Sequence, residues 1–285
     1  NIIMGEDLRK KNYPAIHAVG RAVKTAKQAP RLIDFRWGNT SHPKLTLVGK
    51  GVCFDTGGLN IKTTAGMKLM KKDMGGAANI LGLAQMIMSH KLPIRLRVLI
   101  PAVENNISGE ALRPLDVITS RSGKTIEIGN TDAEGRVILA DALTEACSED
   151  PDFIINLATL TGAARIALGT SLPALFTNDD KFARTMSKVS TLEQDPIWRL
   201  PLWTDYKDMI KGMAADLTNA PDGGYGGAIT AALFLAEFIK PETKWAHIDL
   251  MAWNLTSKPG RPKGGEAMAI RSIFCALKNN LILKT

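Results

Sequence analysis

Histidine and cysteine are scarce, at four and three of 285 residues, and this removes several kinds of chemistry at once. His17, His42, His90 and His247 stand far apart, and no H-E-x-x-H occurs, so a zinc site built on paired helical histidines is excluded. Cys53, Cys147 and Cys275 are odd in number and widely spaced, which leaves neither a disulfide framework nor a zinc ribbon and fits a reducing, cytoplasmic setting. Long apolar runs are missing too. Gln85 splits the stretch from Ile80 to Met88 and Glu237 ends the one from Ala228 to Ala236, well short of the roughly 18 residues that a membrane helix needs. Gly (25) and Pro (14) are too few for a disordered or collagen-like chain. The first residues do not begin with Met and lack the basic, apolar and small-residue order of a secretory signal, so the start reads as a cut end.

What is present is an ordinary globular composition, 45% hydrophobic and 22% charged, with a net charge of +8. That charge raises nucleic acid as a partner. Lys and Arg are nevertheless spread along the chain with no basic tail or stripe, so nucleic-acid binding is not expected as the main role. Alternating or continuous apolar residues predict strands at 44–48, 94–103, 125–128, 152–157 and 246–251, and helical spacing predicts helices at 75–90, 133–147 and 228–239. Strands alternating with helices imply an α/β fold with a mixed, largely parallel central sheet flanked by helices. Residues 1–40 read as a lead-in helix near 15–27 and a linker, and 41–285 as the main domain. Two signals mislead. Gly123-Lys124-Thr125 resembles the tail of a phosphate-binding loop, but Ile118 stands where that motif requires Gly, and a hairpin turn is expected instead. No G-x-S-x-G nucleophile turn occurs.

Three segments collect charge among glycines: Lys50 to Lys62 with Asp55, Met70 to Ala78 with Asp73, and Asn130 to Arg136 with Asp132 and Glu134. Lys50 and Asp132 fall just beyond predicted strands, where crevices open in α/β sheets. Four carboxylates brought together there would repel one another unless positive charge lies between them, and two hard divalent cations would offset them. Each segment alone has a plainer reading. Thr131-x-x-Glu134 matches a capping box, Asp73 could cap the helix that follows, Lys50 and Lys62 could be solvated loop residues, and Met70 could be core.

Asn130-Thr-Asp-Ala-Glu-Gly-Arg136 resembles the N-T-D-A-E-G-R signature of the leucine (cytosol) aminopeptidases, the M17 metallopeptidases. The Val48-Gly-Lys-Gly to Lys62 block and the Met70-Lys-x-Asp-Met74 block stand in that family's order and spacing, and the likeness runs from about Arg31 to the C-terminus. The resemblance implies a catalytic domain whose separate N-terminal partner domain is missing. It further implies that Lys50, Asp55, Asp73, Asp132 and Glu134 hold two divalent ions, Zn or Mn with Mg as a further candidate, bridged by Asp55 and Glu134. Lys62 would polarise the scissile carbonyl, and Arg136 would hold a bicarbonate ion acting as general base. Met70, Thr159, Leu160 and Gly162 match positions lining the pocket for the first side chain, favouring Leu or other apolar residues. A homohexamer acting on peptides is implied. Past His247-Ile-Asp249 the chain departs from the better-known members, reading Leu-Met-Ala-Trp-Asn254 and then Gly260-Arg-Pro262 in an altered context. A DNA-binding or scaffold role on the same fold is the alternative.

Overall fold

The computed structural model describes residues 1–23 and 25–283. In chain order the strands are β1 Ile2–Met4, β2 Arg31–Trp37, β3 Lys44–Gly49, β4 Gly51–Asp55, β5 Arg95–Asn105, β6 Val117–Thr119, β7 Thr125–Glu127, β8 Phe153–Ala158, β9 Ala174–Thr177, β10 Trp198–Arg199, β11 Leu217–Thr218, β12 Trp245–Asp249, β13 Trp253–Asn254 and β14 Gly264–Gly265. The helices are α1 Glu6–Lys10, α2 Pro14–Gly20, α3 Thr64–Leu69, α4 Gly75–Ser89, α5 Glu134–Ala146, α6 Gly162–Leu168, α7 Asp180–Leu192, α8 Gly227–Ala236 and α9 Ile270–Lys278. The main sheet runs β1-β2-β5-β3-β8-β12-β9-β10, with β4 also paired to β5. Its centre is parallel, β5 to β3 to β8 to β12, while β1, β2 and the β12–β9 pairing are antiparallel. This is the mixed, largely parallel α/β sheet that the sequence implies.

Both faces of the sheet are covered, which explains why β8 (Phe-Ile-Ile-Asn-Leu-Ala) is buried at every position rather than alternating. Leu45 and Leu47 of β3 and Leu96, Val98 and Ile100 of β5 pack against α4, α7 and α9. Val48 and Leu99 instead meet α2, α5 and α8 through Ile16, Val137, Leu143 and Phe234. Gly76 of α4 and Gly49 of β3 are dictated by close approach. A Cβ on Gly76 would stand 2.2 Å from the Leu157 carbonyl oxygen, and one on Gly49 would stand 2.6 Å from Ala77 Cα, so helix and strand ends touch backbone to backbone.

Residues 1–40 differ from the expected helix and linker. The helix stops at Gly20, and β1 and β2 join the main sheet, β2 pairing with β5 over its whole length. Asp34 and Arg36 obscured this strand. Asp34 is buried because Arg97 of β5 pairs with it at 2.9 Å and also reaches Glu145 of α5 at 2.6 Å. The 125–128 strand forms as β7, but in a separate small sheet with β6 and β11. Between β6 and β7 the Gly123-Lys124 segment is a hairpin turn closed by the bond from Ser120 N to the Lys124 carbonyl.

His247 of β12 is fully buried, faces Phe176 and Trp245, and accepts from Asn156 Nδ2 at Nδ1 over 2.8 Å. Burial, and more weakly the Arg136 charge, press its pKa down to about 3, so it is neutral in the fold. The unfolded chain protonates it below about 6.5, hence its contribution is present above that pH and is lost as pH falls towards about 3. Urea midpoints of the parent and His247→Phe should therefore diverge with pH. The parent should lose up to about 1.4 kcal/mol more per unit of acidification than the variant in that window. Parallel curves for the two proteins would remove His247 from the acid sensitivity.

Candidate active site

The strand ends of the main sheet place most of the charged segments in one crevice. Lys50 stands at the break between β3 and β4, its N–H bonded to the Leu157 carbonyl and its own carbonyl accepting from Ala77 N. Asp55 is the last residue of β4, in register with Asn105 at the end of β5. Asp73 lies in the tight turn leading into α4, Asp132 in the turn before α5, and Glu134 is the first residue of α5.

Neither capping reading fits. Asn130, not Thr131, caps the 131–133 turn by accepting from Asp132 N, while the Thr131 hydroxyl donates to the Gly57 carbonyl and accepts from Asn60 N. Met74 occupies the α4 cap with no side-chain bond, leaving the Asp73 carboxylate to face Lys50.

Lys50, 3% exposed, lies 2.7 Å from Asp73 and 2.9 Å from Glu134. Lys62 lies 2.6 Å from Asp55 and also contacts Asp132. Oxygens of Asp55, Asp132 and Glu134 lie within 4.8 Å of one another. Burial alone would lower both lysines, but the carboxylates of Asp73, Glu134 and Asp55 around Lys50, and those around Lys62, hold them above the ordinary lysine range. Burial and the neighbouring Asp55 push Glu134 well above the usual carboxylate range, and burial with Asp73 raises Asp55. Burial would raise Asp73 too, but Lys50 and Lys72 hold it below that range. Two lysines thus satisfy four carboxylates only in part. Asp73 Oδ2 and Glu134 Oε1 lie at ion-pair distance from Lys50 yet lack hydrogen-bond geometry to any described residue. Clustered hard oxygen donors with one amine suit divalent ions.

A cavity of about 400 Å³ opens over Asp55, Lys62, Met70, Asp73 and Asp132. Thr159 flanks it, its hydroxyl donating to Asp73 Oδ1 over 2.7 Å. Leu160 follows Thr159 beyond β8, and Gly162 opens α6; neither lines the cavity directly, although Arg165 beside Gly162 does. Arg136 sits deeper, 8% exposed on α5, outside the cavity wall. Burial lowers its pKa to about 10, against the fields of Asp249 and Glu134, and it remains charged at neutral pH. A larger cleft, about 960 Å³, opens near α1, α2 and the 25–30 loop and contains none of these residues.

Sequence reading missed three participants. Asn105 donates to Asp55 Oδ1 and to the Thr131 carbonyl, both at 3.0 Å, and so ties the β4 end to the 131–133 turn. Its signal was only a polar residue closing an apolar strand. Lys72 and Arg165 also line the cavity, and nothing in their spacing marked them.

Carboxylates and amines gathered at the strand ends of a covered α/β sheet, beside an open cavity, define a candidate hydrolytic metal centre. The family described as "Cytosol aminopeptidase family, catalytic domain" matches residues 1–274, and the chain belongs to it. A probable cytosol aminopeptidase of Chlorobium limicola is 44% identical over 261 residues, covering 90% of this chain and 52% of that protein. The crystal structure of cytosol aminopeptidase from Coxiella burnetii superposes with a TM-score of 0.95 at 58% identity, covering 99% of this chain and 61% of that one. The bottromycin maturation enzyme BotP in complex with Mn gives 0.92 at 36% identity, covering 99% of this chain and 62% of that one. The chain spans about half the length of the curated relatives it matches.

Proposed function

We propose that the chain carries the catalytic machinery of a metal-dependent aminopeptidase that releases the first residue of a peptide, Leu and other apolar residues among them. The observation that carries this is the set of four carboxylates interleaved with Lys50 and Lys62 at the cavity. Lys50, Asp55, Asp73, Asp132 and Glu134 would hold two divalent ions. When bound, such ions supply Lewis-acid polarisation and a nucleophile at neutral pH. Lys50 can serve as a ligand only as a neutral amine. Dications replacing it as the partner of Asp73 and Glu134 would reverse the field that now keeps it charged. Zn, Mn and Mg are the candidates for these oxygen donors, and the Mn in BotP supports Mn.

Lys62 keeps its proton and lines the cavity, where its ammonium would polarise the scissile carbonyl and stabilise the oxyanion. Arg136 would fix bicarbonate as the general base. Met70 and Met251 give the cavity apolar surface for the first side chain. The test is release of Leu from a Leu-peptide at several added metals, combined with metal analysis. Lys62→Ala should slow release by about 10²- to 10³-fold with metal content kept, the usual loss for one oxyanion donor. An equal loss of metal would assign Lys62 to ligand support instead.

A cytoplasmic location and a homohexamer belong to the same reading. No described helix is long and apolar enough to cross a membrane. Exposed Ile166, Leu192, Met213 and Tyr225 are apolar surface that closed assembly would cover. Sedimentation should give a species near six times 30.8 kDa. A monomer with full turnover would take assembly out of the account.

A further inference from the structure

The cavity holds more positive charge than the proposed hydrolysis uses. Besides Lys62, it is lined by Lys72 and Arg165. The Lys72 side chain is 11% exposed and comes no nearer to a carboxylate than 3.8 Å, from Asp73 Oδ1. That Asp73 carboxylate is already engaged by Lys50 and by the Thr159 hydroxyl. Arg165 Nη2 lies 3.9 Å from where a Cβ on Gly162 would stand, and Nη1 is buried with no hydrogen-bond partner among the described residues. Among the described residues no carboxylate comes within ion-pair distance of Arg165. Asp249, on which the Arg165 charge acts, is occupied by the N–H groups of Leu160 and Thr161 and by the Thr161 hydroxyl.

Arg165 without an ion-pair partner among the described residues, and Lys72 with only a long contact to a carboxylate already engaged elsewhere, are cations partly withdrawn from water, and they carry a desolvation cost that an incoming anion would recover. Two divalent ions on the four carboxylates would neutralise the acidic floor and leave Lys72 and Arg165 uncompensated. The cavity wall beside them is Leu69, Met70 and Met251. A side chain with an apolar stem and a carboxylate tip meets both demands.

We infer that the pocket for the first side chain selects a residue bearing a carboxylate, Glu or Asp, with Arg165 as the main determinant and Lys72 as its neighbour. This rests on the aminopeptidase reading, which places Met70 in that pocket and Gly162 three residues before Arg165 on α6. Leu is then a slower substrate, held by the apolar wall alone.

Aminoacyl anilides test this because they have no C-terminal carboxylate, so any anion must come from the first side chain. With Mn-loaded protein, kcat/KM for the Glu anilide should exceed that for its neutral isostere, the Gln anilide, by about ten- to a hundredfold, the worth of one or two charge-assisted hydrogen bonds. Arg165→Met should bring that ratio near one, and Arg165→Glu should favour the Lys anilide over the Gln anilide. Titration calorimetry with free glutamate and glutamine reads the same preference without turnover. Glutamate should bind more tightly to the parent and lose that advantage in Arg165→Met. Leu release with Glu no better than Gln, or equal binding of the two amino acids, overturns the inference and leaves the aminopeptidase reading standing. Failure to cleave any anilide, with Arg165-dependent glutamate binding retained, overturns the aminopeptidase reading and supports the carboxylate pocket.

Discussion

Asp132→Ala is expected to abolish peptide hydrolysis and to lower bound metal while leaving the fold intact. The three outcomes come from the same local structure. Asp132 is the most exposed of the clustered carboxylates, with a side chain 34% exposed, and among the described residues its carboxylate pairs only with Lys62. The turn that carries it is built by other atoms, through Asn130 Oδ1 accepting from Asp132 N and through Thr131 bound to Gly57 and Asn60. Removing the carboxylate therefore costs little packing. It does remove one oxygen from the group with Asp55 and Glu134, and it releases Lys62 from one of its two partners. On the proposed reading, the site that would hold two ions then has one ligand fewer and a freed ammonium beside it, which disfavours both cations. Metal content per chain, turnover on a Leu- or Glu-peptide and the circular dichroism spectrum are the readouts. Two metals per chain with near-normal turnover would refute the assignment. A lost spectrum would show that the turn depends on the carboxylate after all.

The site was more legible than the fold. Asp55, Asp73, Asp132 and Glu134 are separated by up to 79 residues of sequence, yet each stands beside glycines in a charged block, and clustered charge among glycines is hard to explain as ordinary surface. The central strands and helices α4, α5 and α8 were equally readable, because their apolar periodicity survives burial on both faces of the sheet. Strand β2 was hidden because its core-facing Asp34 is paid for by Arg97, a partner 63 residues away that no local pattern reveals. Strand β4 was hidden by the break at Lys50, where β3 ends on β8 and the chain resumes against the far end of β5. Asn105, Lys72 and Arg165 carry no motif. Their relevance depends on which cavity they line, which is a property of the assembled sheet.

Arg136→Ala should keep both metals and lose much of the rate, and bicarbonate should govern the parent in the same way. Arg136 lies on the buried side of α5, 8% exposed, which excludes a solvated helix-surface residue following a capped turn. Its Nε has no partner, and among the described residues it forms no ion pair. The carboxylates whose fields act on it are Asp249 and Glu134, the first saturated by Leu160 and Thr161 and the second committed to Lys50. A buried guanidinium left in this state calls for an anion, and its planar fork suits a flat, bidentate one such as bicarbonate. The clustered carboxylates of the site are engaged by lysines and would be engaged by metal, so none is free to accept a proton from water. A general base typically contributes about 10²- to 10⁴-fold, and the variant should fall by that factor with its metal content unchanged. Stripping bicarbonate from the parent should slow hydrolysis, and adding it back should restore the rate in a saturable way. The variant should not respond to either treatment. Arg136→Lys should recover little, because a point ammonium cannot hold both oxygens. Equal rates for parent and Arg136→Ala, with neither affected by bicarbonate, would remove this base from the mechanism and leave the buried guanidinium as a structural charge facing Asp249.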